Sequence, residues 1–259
     1  LIWMGILGAT LCFFTGKHLN LPLVFDKFSP KWQDRASIFN TLMNLTVGLI
    51  ILFGGFIAFE KNYGITTPIL GLRIGALQSV LIIAGFLISI NQLGHLIKFL
   101  KSADVGNIVT VIASIAFFVT IFYSIEYVKN DDVLIDYFYE NVELFSGLVL
   151  FITFTIFLVL GAPIASGLAI AGIMTLSLQI DNDELVATAG EKFFTGLDSF
   201  GFLALPFFIL AGNIMNQGGI ARKLINFAML LGRKIPGSLY QANCVANMLF
   251  GSLSGSAVA

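Results

Sequence analysis

"ASIFNTLMNLTVGLIILFGGFIAF", Ala36 to Phe59, runs for 24 residues without a charge. A helix rises about 1.5 Å per residue, so about 20 apolar residues cross the roughly 30 Å of bilayer hydrocarbon. This stretch is long enough to span, and it decides the class of fold. Composition agrees: of 259 residues, 57% are hydrophobic, 11% are charged and 26 are Phe. Soluble domains carry about 25% charged residues, so a mean hydropathy of +0.92 belongs to a chain embedded in lipid. A net charge of −1 gives no footprint for nucleic acid. Cys12 and Cys244 lie in apolar stretches and read as two buried free thiols.

Working outward, Leu1–Phe14 reads as the tail of a span, and further spans fall at Ile69–Ile90, Asn107–Val128, Leu144–Leu160, Pro163–Ile180 and Ser199–Asn216. Arg73, near the start of one of them, can snorkel to the headgroups. Gly161-Ala162-Pro163 is a tight break between two helices. Leu1 opens inside an apolar run with no Met and no basic flank, so the natural chain is expected to start earlier and to continue past Ala259.

The charges test this parse. Lys17, Lys27, Lys31 and Arg35 fall in 15–35, Lys98 and Lys101 in 91–106, and Arg222, Lys223, Arg233 and Lys234 in 217–234. The intervening loops 60–68, 129–143 and 181–192 are acidic or nearly free of basic residues. Every crossing changes sides, and the basic loops all fall on one face. That face is cytoplasmic by the positive-inside rule. Gly218–Lys234 is too short and too charged to span; its apolar residues repeat at helical spacing, which predicts an amphipathic helix at the cytoplasmic interface. A weaker counterpart lies at 17–35, where Trp32 can anchor at the headgroups. Asn213 and Asn216 read as structural, and Gly218-Gly219 as a helix-ending turn.

The last segment, Ile235 to Ala259, has no charge and ends in "FGSLSGSAVA". It enters from the cytoplasmic side, and after ten to twelve residues it reaches Gly251-Ser252-Leu253-Ser254-Gly255-Ser256. Gly and Ser weaken a helix, so the backbone is expected to unwind here, about halfway across. Open backbone at that depth needs protein or a water-filled cavity around it, and a re-entrant hairpin supplies both. Hydroxyls and free carbonyls at Ser252, Ser254, Gly255 and Ser256 are hard oxygen ligands suited to an alkali cation, and half-helix ends can also receive a carboxylate. Asn247 and Gly251 are secondary candidates. The plainer alternative is a surface of small residues on which helices pack closely.

"LDSFGFLALPFFILAGNIMNQGGIARKLINFA" (197–228), "LGAPIASGLAIAG" (160–172) and "NMLFGSLSGSAVA" (247–259) closely resemble the membrane M subunit of tripartite ATP-independent periplasmic (TRAP) transporters. Residues 1–100 are similar, more weakly, to the small Q subunit, through the helix end at Gly5–Gly8, the basic stretch with His18 and the helix count. The whole resembles a fused Q–M protein like those of sialic acid systems. The parts are a Q-like segment over 1–105 lacking its first helix, a connecting helix over 106–130, and a truncated M-like segment over 131–259 that ends within its first hairpin. The connector is a topological necessity, since the Q-like part ends on the cytoplasmic side and the M-like part begins outside.

The resemblance implies an all-α polytopic membrane protein, not an enzyme, whose M-like part moves as an elevator against a Q-like scaffold. It implies sodium-coupled import of an organic acid anion, of the sialic acid or C4-dicarboxylate class, across the bacterial inner membrane. A periplasmic binding protein would deliver the substrate. Sodium, held through Ser254 and Ser256, would be the coupling ion, with no other cofactor. Three other readings compete with this one. An intramembrane serine protease would use Ser254, but His18 and His95 are predicted at cytoplasmic loops, away from midplane. A non-transporting scaffold suits 1–128 but leaves the Gly/Ser tip without a use. A channel would need a ring of charge or carbonyls, and none is evident.

Overall fold

A pair of long antiparallel helices organises the first part of the chain. α2 (Pro30–Asn62) starts with Pro30 in its first turn, where a missing N–H costs nothing, and α3 (Ile74–Lys101) packs along it. The helices approach at backbone distance. A Cβ added at Gly75 would lie 2.5 Å from the Phe59 carbonyl oxygen, and one at Gly55 would lie 2.8 Å from Leu81 Cβ. In lipid, where apolar burial offers little between helices, such small-residue seams give the van der Waals contact that holds a pair together. At one end of the pair Asn62 Nδ2 donates to Gln78 Oε1 at 3.0 Å.

The computed structural model describes residues 2–21, 24–68, 70–101, 105–197, 200–232 and 238–254. Among these the other helices are α1 (Ile2–Thr15), α4 (Val105–Asn130), α5 (Asp132–Glu140), α6 (Val142–Val159), α7 (Ile164–Gln179), α8 (Asn182–Thr195), α9 (Phe200–Gln217), α10 (Ile220–Gly232) and α11 (Ser238–Ser254). The described residues contain no strand, only an isolated bridge between Thr66 and Arg73. α2, α3, α4 and α6 are each long and apolar enough to cross a membrane. The protein is an all-α, multi-pass membrane protein. It divides into two units, Leu1–Gly196 and Leu197–Ala259.

In the first unit a ring stack ties three helices together. Phe39 of α2 stacks on Phe118 of α4 (centroids 5.8 Å apart) and on Phe157 of α6 (5.6 Å). Met43, Val47, Phe157, Ala162 and Ile170 form the buried core beside it. Contacts between loops then show which ends lie together. Asn40 Nδ2 donates to Leu160 O at 2.9 Å, Ile164 N donates to Leu19 O at 3.0 Å, and Gly161, at φ 74°, lies against the Phe25 ring. The turn at 161–163 therefore sits with the basic stretch 15–35. At the opposite end Trp3 Nε1 donates to Leu77 O, Lys61 faces Glu191 at 4.0 Å, and the Lys129 ammonium donates to Ile180 O. The alternation of sides that the charges predict is realised throughout this unit.

Several expectations are corrected. The region 129–143 is not simply a loop: Asp131 accepts from Val133 N and Leu134 N and so caps α5. Nor is 181–192 one, since it forms α8, which packs on α2. α3 begins at Ile74 rather than Ile69 and runs on to Lys101, so most of the expected 91–106 loop is helix. Cys12 is half-buried and Cys244 exposed, where buried thiols were expected. Gly219, at φ 73°, ends α9 as predicted.

Candidate functional site

The Gly/Ser segment follows from the way the second unit is built. α10 carries apolar residues at helical spacing with Arg222 and Lys223 exposed in its first turn, which is the predicted amphipathic helix. Its Ala228 is buried with Ala246 of α11, and Val245 packs against both. Two small residues facing each other let α10 and α11 lie close, and this fixes which side of α11 is covered.

The other side of α11 is polar. At about 100° per residue, Asn243, Asn247, Gly251 and Ser254 fall at i, i+4, i+8 and i+11, one stripe along the helix. Asn243 and Asn247 are exposed, with Asn247 Nδ2 3.5 Å from Asn243 Oδ1. Gly251 is half-buried, and a Cβ added there would meet nothing within 4 Å. Close helix packing therefore does not explain a glycine at 251.

Here the structure corrects the sequence reading. The backbone does not unwind at Gly251, because α11 is helical through Ser252, Leu253 and Ser254. An intact ladder is the cheapest way to satisfy backbone groups away from water, and that outweighs the weak helix propensity of Gly and Ser. The register brings Ser254 into line with Asn247 and Gly251, but sets Ser252 on the far side of the helix. Gly255 and Ser256 lie outside the described residues. No group of three or more His, Cys, Asp or Glu able to hold a metal occurs among the described residues. A sodium site of hydroxyl and carbonyl oxygens needs no such group.

Sequence reasoning missed the residues that join the two halves of the first unit. Gly54 of α2 meets Gly190 of α8, and Asn40 reaches the carbonyl at Leu160. The signals were present: a Gly-Gly pair and two asparagines inside an otherwise apolar span.

Comparison with known proteins gives the chain its kin. Residues 1–102 match the family model described as "Tripartite ATP-independent periplasmic transporters, DctQ component". Residues 151–259 match "Tripartite ATP-independent periplasmic transporter, DctM component". The isethionate TRAP transporter permease protein DctMQ of Oleidesulfovibrio alaskensis is 28% identical over 98% of this chain and 38% of its own length. The uncharacterized protein YgiK of Salmonella typhimurium is 46% identical over 43% of this chain and 26% of its own. The sialic acid TRAP transporter large permease protein SiaM of Vibrio cholerae is 38% identical over 38% of this chain and 23% of its own. The chain thus spans well under half the length of these relatives. With a Q-type match, an M-type match and a fused relative aligned along nearly its whole length, this chain belongs to the tripartite ATP-independent periplasmic transporter permeases, with the Q and M components joined in one polypeptide.

Proposed function

We propose that the protein is the membrane component of a sodium-coupled importer of an organic acid anion in the bacterial inner membrane, supplied by a periplasmic binding protein. The observation that carries this reading is the polar stripe Asn243–Asn247–Gly251–Ser254, which leads along one membrane-associated helix into Gly255 and Ser256 in a chain of this family. In the proposal the hydroxyls of Ser254 and Ser256, with backbone carbonyls of the Gly/Ser segment at Ser252 and Gly255, take the sodium ion. Asn247 serves as an amide neighbour to the site. No other cofactor is part of the proposal.

Transport by alternating access requires one body to move against another. The Gly54–Gly190 seam supports assigning α6 to α8 to the fixed body with the Q-like helices, and drawing the moving body from residues after Gly196. The substrate is an acid anion, sialic acid or a C4-dicarboxylate, with isethionate added to the panel because a relative is named for it. The test uses the full reading frame with its binding protein in liposomes. Labelled uptake of each acid is followed with and without an inward sodium gradient, in wild type and in Ser254→Ala and Ser256→Ala. Uptake that needs both sodium and the binding protein, and collapses in the variants, is the expected result. Uptake indifferent to both serines would return the segment to a packing role, and no uptake of any acid would overturn the transport reading.

A further inference from the structure

At the end of the first unit opposite the basic loops, α2 presents Phe56, Ile57, Phe59, Glu60 and Tyr63 around an open cleft of about 590 Å³. Phe56, Glu60 and Tyr63 fall at i, i+4 and i+7, one stripe that runs from the helix end inward by about 10 Å. Phe56, Ile57 and Tyr63 are 52%, 39% and 44% exposed. α2 is long and apolar enough to cross a bilayer, so a stripe running inward from its end is placed to pass from headgroup level toward the acyl chains.

Glu60, one turn before Tyr63, is exposed on the cleft wall. The Arg73 guanidinium is not a wall of the cleft but covers the ring of its lining residue Tyr63, its Cζ 4.5 Å from the centroid, and so brings the opposite charge to that end. Lys61, the adjacent cation, faces Glu191 instead. Among the described residues, neither Glu60 nor Arg73 has an ion-pair partner.

An unpaired guanidinium, an unpaired carboxylate and an apolar stripe in this order complement one molecule that carries an anion, a cation and a chain. We propose that this cleft binds an aminophospholipid, with its phosphate on Arg73, its primary ammonium on Glu60 and an acyl chain along Phe56 and Ile57. A guanidinium matches phosphate oxygens with a fork of donors, and a carboxylate accepts N–H bonds from an ammonium. An anionic headgroup leaves Glu60 unmatched and repelled. A choline head has no N–H to donate and would need an open aromatic face, whereas the Tyr63 face is already covered by Arg73. A soluble protein is disfavoured because the apolar part of the stripe is placed toward the acyl chains.

The test is independent of any transport measurement. The full-length protein, purified in mild detergent, is equilibrated with an equimolar mixture of phosphatidylethanolamine, phosphatidylglycerol and phosphatidylcholine. Retained lipid is then quantified by mass spectrometry after gel filtration. Wild type is expected to enrich phosphatidylethanolamine about tenfold over the other two, the scale of one charge-assisted hydrogen bond. Glu60→Gln should abolish the preference over phosphatidylcholine, and Arg73→Gln should lower retention of both zwitterionic lipids. Glu140→Gln, an acid in another cleft, should change nothing. Retention in the mixing ratio by wild type, enrichment of phosphatidylglycerol, or an unchanged preference in Glu60→Gln would each overturn the proposal. The wild-type ratio decides the matter even if a variant fails to fold.

Discussion

Gly54 and Gly190 touch backbone to backbone: a Cβ built on Gly190 would lie 2.5 Å from the Gly54 carbonyl carbon, and one built on Gly54 would lie 2.6 Å from Val186 O. The obstacle on each side is main chain, which has no rotamer to swing away. Gly190→Ala is therefore expected to destabilise by about 1–3 kcal/mol, and Gly190→Leu to separate α8 from α2. Gly94, in α3, is the control. A Cβ there meets nothing within 4 Å, so Gly94→Ala should gain about 0.5–1 kcal/mol from helix propensity alone. Thermal unfolding in detergent reads both, and equal effects at the two positions would refute the seam.

Asn40 offers a second probe of the same join. Its Nδ2 donates to the Leu160 carbonyl in a buried position, and its Oδ1 has no partner among the described residues. Asn40→Ala removes the donor from a part-buried carbonyl and should cost about 0.5–1.5 kcal/mol. A double-mutant cycle with Gly161→Ala, at the same turn, should show non-additivity. Independent, additive losses would mean that the amide does not hold the turn.

His18 predicts a pH dependence. It stands half-buried beyond α1, its ring edge-on to Phe13 at 4.0 Å, with Nε2 buried and unpartnered among the described residues. Burial holds its pKa below the ordinary value of 6.5. The fold thus keeps the imidazole neutral while the unfolded chain protonates near 6.5. Its contribution to stability is complete above that value and is lost as pH falls through it toward the lower folded pKa. Unfolding midpoints at about pH 7.5 and about pH 5.5 should differ more for wild type than for His18→Gln. Equal differences would show that the ring does not titrate between folded and unfolded states.

The register of α11 separates the candidate serines. If the stripe is the ion's approach, Ser254→Ala and Asn247→Ala should raise the sodium concentration needed for half-maximal uptake by about tenfold, and Ser252→Ala by about twofold or less. Equal sensitivity at 252 and 254 would mean that the helix opens before Ser252 in the working protein.

Much of this architecture can be read without coordinates, because a membrane span announces itself by length and by the absence of charge. α4, α6 and α7 fall within about two residues of their expected bounds, whereas α2 starts at Pro30 rather than Ala36 and takes in the end of the expected 15–35 loop; the loop charges predict which ends meet. α5 and α8 escaped because acids at 131–143 and 181–191 resemble loop composition. α8 packs on α2 at Gly54, a residue distant in sequence that composition does not link to it. The site was legible as a composition but not as a conformation. Gly and Ser propensities argue for opening at Gly251, yet α11 is helical from Ser238 through Ser254.

The bond from Asn40 to Leu160 also carries a schedule. Its two residues are 120 positions apart, and a ribosome adds about 5–20 residues per second. The Asn40 amide therefore enters the bilayer about 6–24 s before its acceptor has been made. Through that interval the nascent α2 holds a polar side chain among lipids, and Phe39 offers its ring to partners not yet synthesised. The first helices of this protein must wait in an unfinished state, so its biogenesis depends on whatever shelters them until α6 arrives.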